Sequence, residues 1–244
     1  MKKIIISIIT CVIVILGTVI AFITKDNDNT SKLTKVKVAE VAHTIFYAPQ
    51  YVALEKGYFK DEGLDIDLIL TPGADKVTSA VLSKDVDIGS MAGTFISGVG
   101  DFVTLFEPSA TQVEQKGYGY VVGYIGEYGG SVPYTAYNAR KSYISENKDT
   151  IQKFTNAINK GLDFVWNNDE ETVAKVIVNQ FPDLTINELS KMIKRYKDND
   201  AWMKNTYFTE ESFDHLQDIM IEAGELKTKV PYKDLVDTSF SKSE

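Results

Sequence analysis

The chain has 244 residues, 44% hydrophobic and 25% charged, the balance of an ordinary globular protein, and a net charge of −8. Residues 1–30 carry +1, so the remainder carries −9. That disfavours a nucleic-acid partner, which needs a basic surface to displace counterions. Cys11 is the only cysteine and His43 and His215 are the only histidines. An intrachain disulfide and a thiolate metal cluster are therefore excluded, two isolated histidines do not make a zinc site by spacing, and no cofactor is expected.

Lys2 and Lys3 precede an uncharged run from Ile4 to Ile23. Twenty residues at about 1.5 Å each span roughly 30 Å, the hydrocarbon thickness of a bilayer. A cleaved secretory core is shorter and ends in small residues, so residues 1–24 are expected to be a signal anchor, with a cleaved signal peptide as the alternative. Residues 25–35 are polar and read as a flexible tether.

Lys35–Val41 alternates apolar and polar residues and predicts a first strand. Tyr47–Lys56 places Tyr47, Tyr51 and Leu54 at helical spacing, with Pro49 tolerated in the first turn and Gly57 as the stop. Leu64–Leu70 alternates again and predicts a second strand. Gly73–Leu82 predicts a helix and Val86–Ile88 a third, buried strand. This order implies a parallel sheet with right-handed crossovers, and ligands in such sheets sit beyond the carboxyl ends of the strands. The relevant turns are Ala42–Phe46, Thr71–Asp75 and Gly89–Gly93. Asp101–Phe106 predicts a further strand, closed by Glu107 and Pro108, and a helix through Lys116 follows. Strands are expected near Tyr120–Ile125 and Tyr134–Asn138. The rest is helical: Ile151, Phe154, Ile158, Leu162 and Val165 share one face of a long helix, and Thr172–Phe181, Ile186–Tyr196 and Glu210–Ala223 continue as three more.

Three blocks are specific in combination. They are Phe46-Tyr47-Ala48-Pro49-Gln50-Tyr51, Gly73-Ala74-Asp75-Lys76, and Gly100-Asp101-Phe102 leading to Phe106-Glu107-Pro108. Together they resemble the substrate-binding proteins of ABC importers, in the branch related to thiamine-pyrimidine synthase that also includes nitrate, sulfonate and taurine binders. The resemblance implies an α/β, two-lobed, periplasmic-binding-protein-like fold with parallel-sheet lobes and a helical C-terminal region. In such relatives the Asp-Ile-Gly motif ends a first-lobe strand, and a crossing strand and the first half of the second lobe follow. Here Asp87-Ile88-Gly89 runs within a few residues into Ala92-Gly93-Thr94-Phe95-Ile96-Ser97, which looks like late second-lobe sequence. A block of several tens of residues after Gly89 is therefore expected to be absent and the second lobe incomplete. Residues 36–90 would form part of the first lobe, 91–143 the remainder of the second, and 144–244 the helical region. Either a deleted gene product or a compact variant that completes its sheet differently accounts for this.

Phe46, Tyr47 and Tyr51 cluster at the first strand-to-helix turn, where flat rings beside a polar anchor suit a planar ligand; core packing of one or two of them is the alternative. Gln50 is placed either to hydrogen-bond a ligand or to sit exposed. Gly73, Ala74 and Asp75 open the second helix, whose free N–H groups could hold an anion or a carbonyl, or Asp75 simply caps it. Glu107 could accept paired N–H donors of an aminopyrimidine-like ring, or join a helix N-cap. Tyr134 and Tyr137 add aromatic surface. A structural hydrogen bond is the commoner fate of a lone histidine such as His43; His215 reads as surface, and Trp166 and Trp202 as packing.

The resemblance implies a binding module that is not an enzyme: an extracytoplasmic component, tethered to the cell membrane or secreted if the signal is cut, that delivers a small planar heterocycle such as a thiamine pyrimidine precursor to an ABC permease. A nitrate, alkylsulfonate or taurine receptor, a remnant that binds nothing, and a pyrimidine-synthase-like enzyme are the alternatives. The last of these looks to depend on a cysteine-rich iron motif that this chain lacks.

Overall fold

The computed structural model describes residues 33–40, 43–70, 96, 98 and 100–241. The expected anchor, most of the tether, the helix Gly73–Leu82 and the strand Val86–Ile88 lie outside the described residues.

Strand β1 (Thr34–Glu40) and strand β2 (Leu64–Leu70) pair in parallel, in register from Thr34 opposite Leu64 to Glu40 opposite Leu70. The connection between them is helical, as a parallel pair requires. A 3-10 turn, Ile45–Tyr47, leads into helix α1 (Ala48–Glu55), with Pro49 in its first turn, where a missing N–H removes no helical bond. Gly57 ends the helix at φ 76°, a left-handed position that glycine adopts without a Cβ clash. The short helix α2 (Tyr58–Asp61), which apolar spacing does not announce, then carries the chain back to β2.

Three expected strands are not strands. Asp101–Phe106 and Tyr134–Asn138 are irregular, and Tyr120–Ile125 runs irregularly into the short helix α4 (Ile125–Gly129). Their alternation of apolar and polar residues is real. A strand, however, exists only where a neighbour takes up its N–H and C=O groups, and among the described residues the sheet has two strands, β1 and β2. Phe102 is left 82% exposed and Tyr120 89% exposed.

Among the described residues the helical expectations hold. Helix α3 (Ser109–Gln115) follows Pro108, and α5 (Lys141–Glu146) precedes the long helix α6 (Lys148–Asn167). Helix α7 (Glu170–Ile177) passes into a second 3-10 turn, Val178–Gln180. Helices α8 (Ile186–Asp198), α9 (Glu210–Glu222) and α10 (Tyr232–Leu235) complete the chain. Helix α6 buries Ala157, Ile158, Gly161, Leu162 and Val165, and α8 buries Leu189, Met192, Ile193 and Tyr196 at i, i+3, i+4 and i+7. The core forms where α1 lies along α6 and α7 packs on α8 and α1. Gly161 makes the first contact possible, since a Cβ there would stand 2.1 Å from the Pro49 carbonyl oxygen.

Candidate functional site

The carboxyl end of β1 carries the site. Its last residue, Glu40, is 6% exposed. A carboxylate removed from water needs partners on both oxygens, and the turn and helix that follow supply them. His43 Nδ1 lies 2.8 Å from Oε1. Gln50 Nε2 donates to Oε2 at 3.3 Å, and the Tyr51 hydroxyl donates to the same oxygen at 3.1 Å. The first turns of α1 thus present Gln50 and Tyr51 to the strand tip. The Tyr51 hydroxyl is pushed up strongly, first by burial and then by the negative charge of Glu40. Tyr47 is raised for the same reasons, burial first, and its ring meets that of Tyr51 edge-on at 6.5 Å. Tyr137 reaches in from a segment distant in sequence and donates to Gln50 Oε1 at 2.9 Å. Gln50 is thereby buried, and the exposed alternative for it is corrected.

An aromatic group adjoins this polar one. Phe46, in the 3-10 turn, stacks on Tyr134 at 4.8 Å with 21° between the planes, and meets Phe106 edge-on at 5.9 Å and Tyr196 at 5.0 Å. Trp202 Nε1 donates to the Phe46 carbonyl at 2.8 Å, which fixes the turn. Phe46 is therefore held by Tyr196 and Trp202. Tyr134, which stacks on it, is 64% exposed, in an irregular segment.

Glu107 is engaged locally. Its oxygens accept from the backbone N–H and hydroxyl of Thr111, each at 3.0 Å, the capping alternative. They also pair with Arg195 of α8, whose other guanidinium nitrogen binds Glu114 at 2.6 Å. This pins α3 to α8 and sets Phe106, the neighbour of Glu107, beside Phe46. Arg195 was not legible as a site residue. Its one signal is rarity, because the chain has only two arginines, Arg140 and Arg195, and a planar fork suits two carboxylates better than an ammonium does.

The structure thus brings Phe46, Tyr47, Gln50, Tyr51 and Tyr134 to the exit of β1, with Glu107 one residue behind the aromatic group. Tyr51 is fully buried, so packing accounts for one of the three clustered rings. Gly73, Ala74 and Asp75 lie outside the described residues. His43 makes structural hydrogen bonds, His215 is exposed, and Trp202 packs, as expected of them. The residues missed were Glu40 and Arg195. Among the described residues no three His, Cys, Asp or Glu side chains gather to hold a metal ion, and no helix is long and apolar enough to cross a membrane.

This fold also occurs among known proteins. A solved structure from Bordetella bronchiseptica RB50 superposes with a TM-score of 0.59 over 78% of this chain and 89% of its own, at 15% identity. At that identity the likeness is one of fold, and the fold class is the α/β, periplasmic-binding-protein-like one, mostly helical here with a small parallel sheet. The family model described as "NMT1/THI5 like" matches residues 45–96 and 90–172. The Bacillus subtilis (strain 168) protein named "Putative binding protein YtlA" is 31% identical, over 84% of this chain and 88% of its own length. The chain belongs to the NMT1/THI5-like family. The alignment with the Bacillus protein runs over 293 residues, more than the 244 of the whole chain, so the relative holds residues along it that this chain does not.

Proposed function

We propose that the chain is the extracytoplasmic solute-binding component of an ABC importer and takes a small planar heterocycle of the thiamine-pyrimidine-precursor class. Family membership and the relative's name support a binding protein rather than an enzyme, with a small-molecule ligand and transporter partners. The observation that carries the ring assignment is the stack of Phe46 on Tyr134 beside the Gln50–Tyr137 hydrogen bond, at the carboxyl end of a parallel strand. A flat ring finds π faces there, with the hydroxyl of the partly exposed Tyr137, held by the buried Gln50, beside them. A bare anion such as nitrate would favour helix N-termini or cations instead. On this reading the apolar run at residues 4–23 tethers the receptor to the membrane, and lobes 36–90 and 91–143 close on the ligand with a hinge between them.

A second reading, a remnant that binds nothing, is favoured by the alignment longer than the chain and by the two family matches meeting at residues 90–96, where the expected missing block falls. Calorimetric titration with an aminopyrimidine, an alkylsulfonate and nitrate separates these readings. Heat from the aminopyrimidine supports the ring. Heat from the sulfonate or nitrate alone overturns it in favour of an anion receptor. No heat from any of the three favours the remnant. A pyrimidine product formed by the purified protein with no added enzyme would instead establish the enzyme reading.

A further inference from the structure

Both ring nitrogens of His43 face oxygen atoms. Nδ1 stands 2.8 Å from Glu40 Oε1, and Nε2 stands 2.8 Å from the backbone carbonyl of Gln180, 137 residues further along the chain. A carbonyl oxygen only accepts, and so does an ionised carboxylate. A neutral imidazole carries one N–H and can satisfy one of the two, whereas an imidazolium satisfies both. We propose that His43 is held as a cation that clamps the carboxyl end of β1 to the 3-10 turn after α7, and that loss of its proton releases the clamp and loosens the Glu40–Gln50–Tyr137 chain of hydrogen bonds.

The surroundings of the ring are consistent with this. From β1 it meets Glu40, the charged group that acts on it. From α1 it meets the Tyr51 hydroxyl, 3.0 Å from Nδ1, with the two rings 4.6 Å apart. From the turn after α7 it meets the Gln180 carbonyl and the Phe181 ring, 5.1 Å away. Gln180 is itself held by Glu55 of α1, which accepts from its Nε2 at 2.5 Å. The hydrogen bond to Glu40 raises the His43 pKa above 6.5, burial opposes that, and the Gln180 carbonyl adds to the rise.

Tyr51 makes the device two-state. With His43 charged, Nδ1–H donates to Glu40 Oε1, and the Tyr51 hydroxyl donates to Oε2. With His43 neutral and Nε2–H kept on Gln180, Nδ1 becomes an acceptor, and the Tyr51 hydroxyl can donate to it instead. Glu40 then loses two donors at once and keeps Gln50 alone. A buried carboxylate so stripped is costly, and the cost falls on the residue that holds Gln50. Because the folded pKa is raised, the contribution of His43 to stability is fully present below 6.5 and is lost as the pH climbs through the folded value.

The competing arrangement has the same proton on Glu40, donating to a neutral Nδ1. Imidazole nitrogen NMR on the whole chain distinguishes the two. The chain has only two histidines, so a His215→Gln variant assigns the signals. The expected result is a His43 ring that keeps imidazolium shifts at pH 6.5 and titrates above it. In Glu40→Gln the midpoint drops to 6.5 or below, and the alkaline fall in melting temperature disappears with it. A neutral Nε2–H tautomer in the unaltered protein at pH 6 overturns the proposal, as does a midpoint that Glu40→Gln leaves in place. Should that variant not fold, the titration of the unaltered chain decides by itself. This inference does not rest on the ligand class and survives if the ring assignment fails.

Discussion

Arg195 illustrates how a single side chain couples distant parts of this molecule. It reaches Glu107 and Glu114 on one side and sits on α8 beside Tyr196, which packs on Phe46. Glu107 is almost wholly buried, and a buried carboxylate stripped of its cation is strongly destabilising. Arg195→Met should therefore lower stability by about 3 kcal/mol in urea unfolding. Arg195→Lys should recover only part of that, because an ammonium cannot fork between two carboxylates. Equal stability of Arg195→Met and the unaltered protein would mean that the pairing contributes nothing. On the acid side, the Lys160 hydrogen bond at 2.6 Å lowers the pKa of Glu62, and the backbone N–H of Thr185 lowers that of Glu188. A depressed carboxylate stabilises above its unfolded value of 4.5 and loses that contribution as the pH falls through the folded one. Stability should thus decline below pH 4.5, and Glu62→Gln should make that decline shallower in a pH series of thermal melts.

At the scale of elements, the helices form for reasons that can be altered one at a time. Helix α8 opens with a capping box, in which the Thr185 hydroxyl accepts from the Glu188 N–H at 3.2 Å and the Glu188 carboxylate accepts from the Thr185 N–H at 2.8 Å. Thr185→Ala removes half of it and should cost about 1 kcal/mol by chemical denaturation. The crossing of α1 and α6 depends on Gly161. Alanine is the better helix former by about 1 kcal/mol, yet its Cβ would collide with the rigid backbone carbonyl of Pro49. Steric overlap with backbone outweighs the propensity gain, so Gly161→Ala should destabilise by about 2 kcal/mol net. A stabilised variant would show that the two helices can part without loss. The expected strands at Asp101–Phe106 and Tyr134–Asn138 failed for the opposite reason, since no change within those segments could supply the neighbouring strand that the described residues do not provide.

Across the molecule, order divides unevenly. The helices from α6 to α8 close over α1 in one apolar core, whereas residues 100–140 are mostly irregular and carry a run of exposed apolar side chains, Phe102, Tyr120, Val122, Ile125 and Tyr128 among them. Backbone amides without a strand or helix partner exchange quickly. Hydrogen exchange should therefore be slow in α1, α6, α7 and α8 and fast at residues 119–120, 122–124 and 131–140, with α3 between the two. Strong protection at alternate residues of 101–106 and 134–138 would instead reveal strands paired in solution, and with them a completed second sheet.

Much of the fold was legible because its signals are local. Ile158, Leu162 and Val165 at helical spacing announce α6, and the alternation Leu64, Ile66, Leu68 announces β2, since each pattern lies within one element and one face of it. Phe46, Tyr47 and Gln50 were legible as a cluster because a strand-to-helix turn gathers residues adjacent in sequence. Glu40 was not legible, because an acidic residue ending a strand reads as a solvated edge until its partners are known.

The sequence by itself determined the longer helices, the parallel β1–β2 unit and the clustering of Phe46, Tyr47 and Gln50 at the turn after β1, because periodicity, glycine stops and caps act over a few residues. Only the tertiary structure decided that Tyr137 meets Gln50 and Arg195 meets Glu107, pairs 87 and 88 residues apart. Which distant side chains face each other follows from how helices cross and where backbones approach, and no local pattern records that.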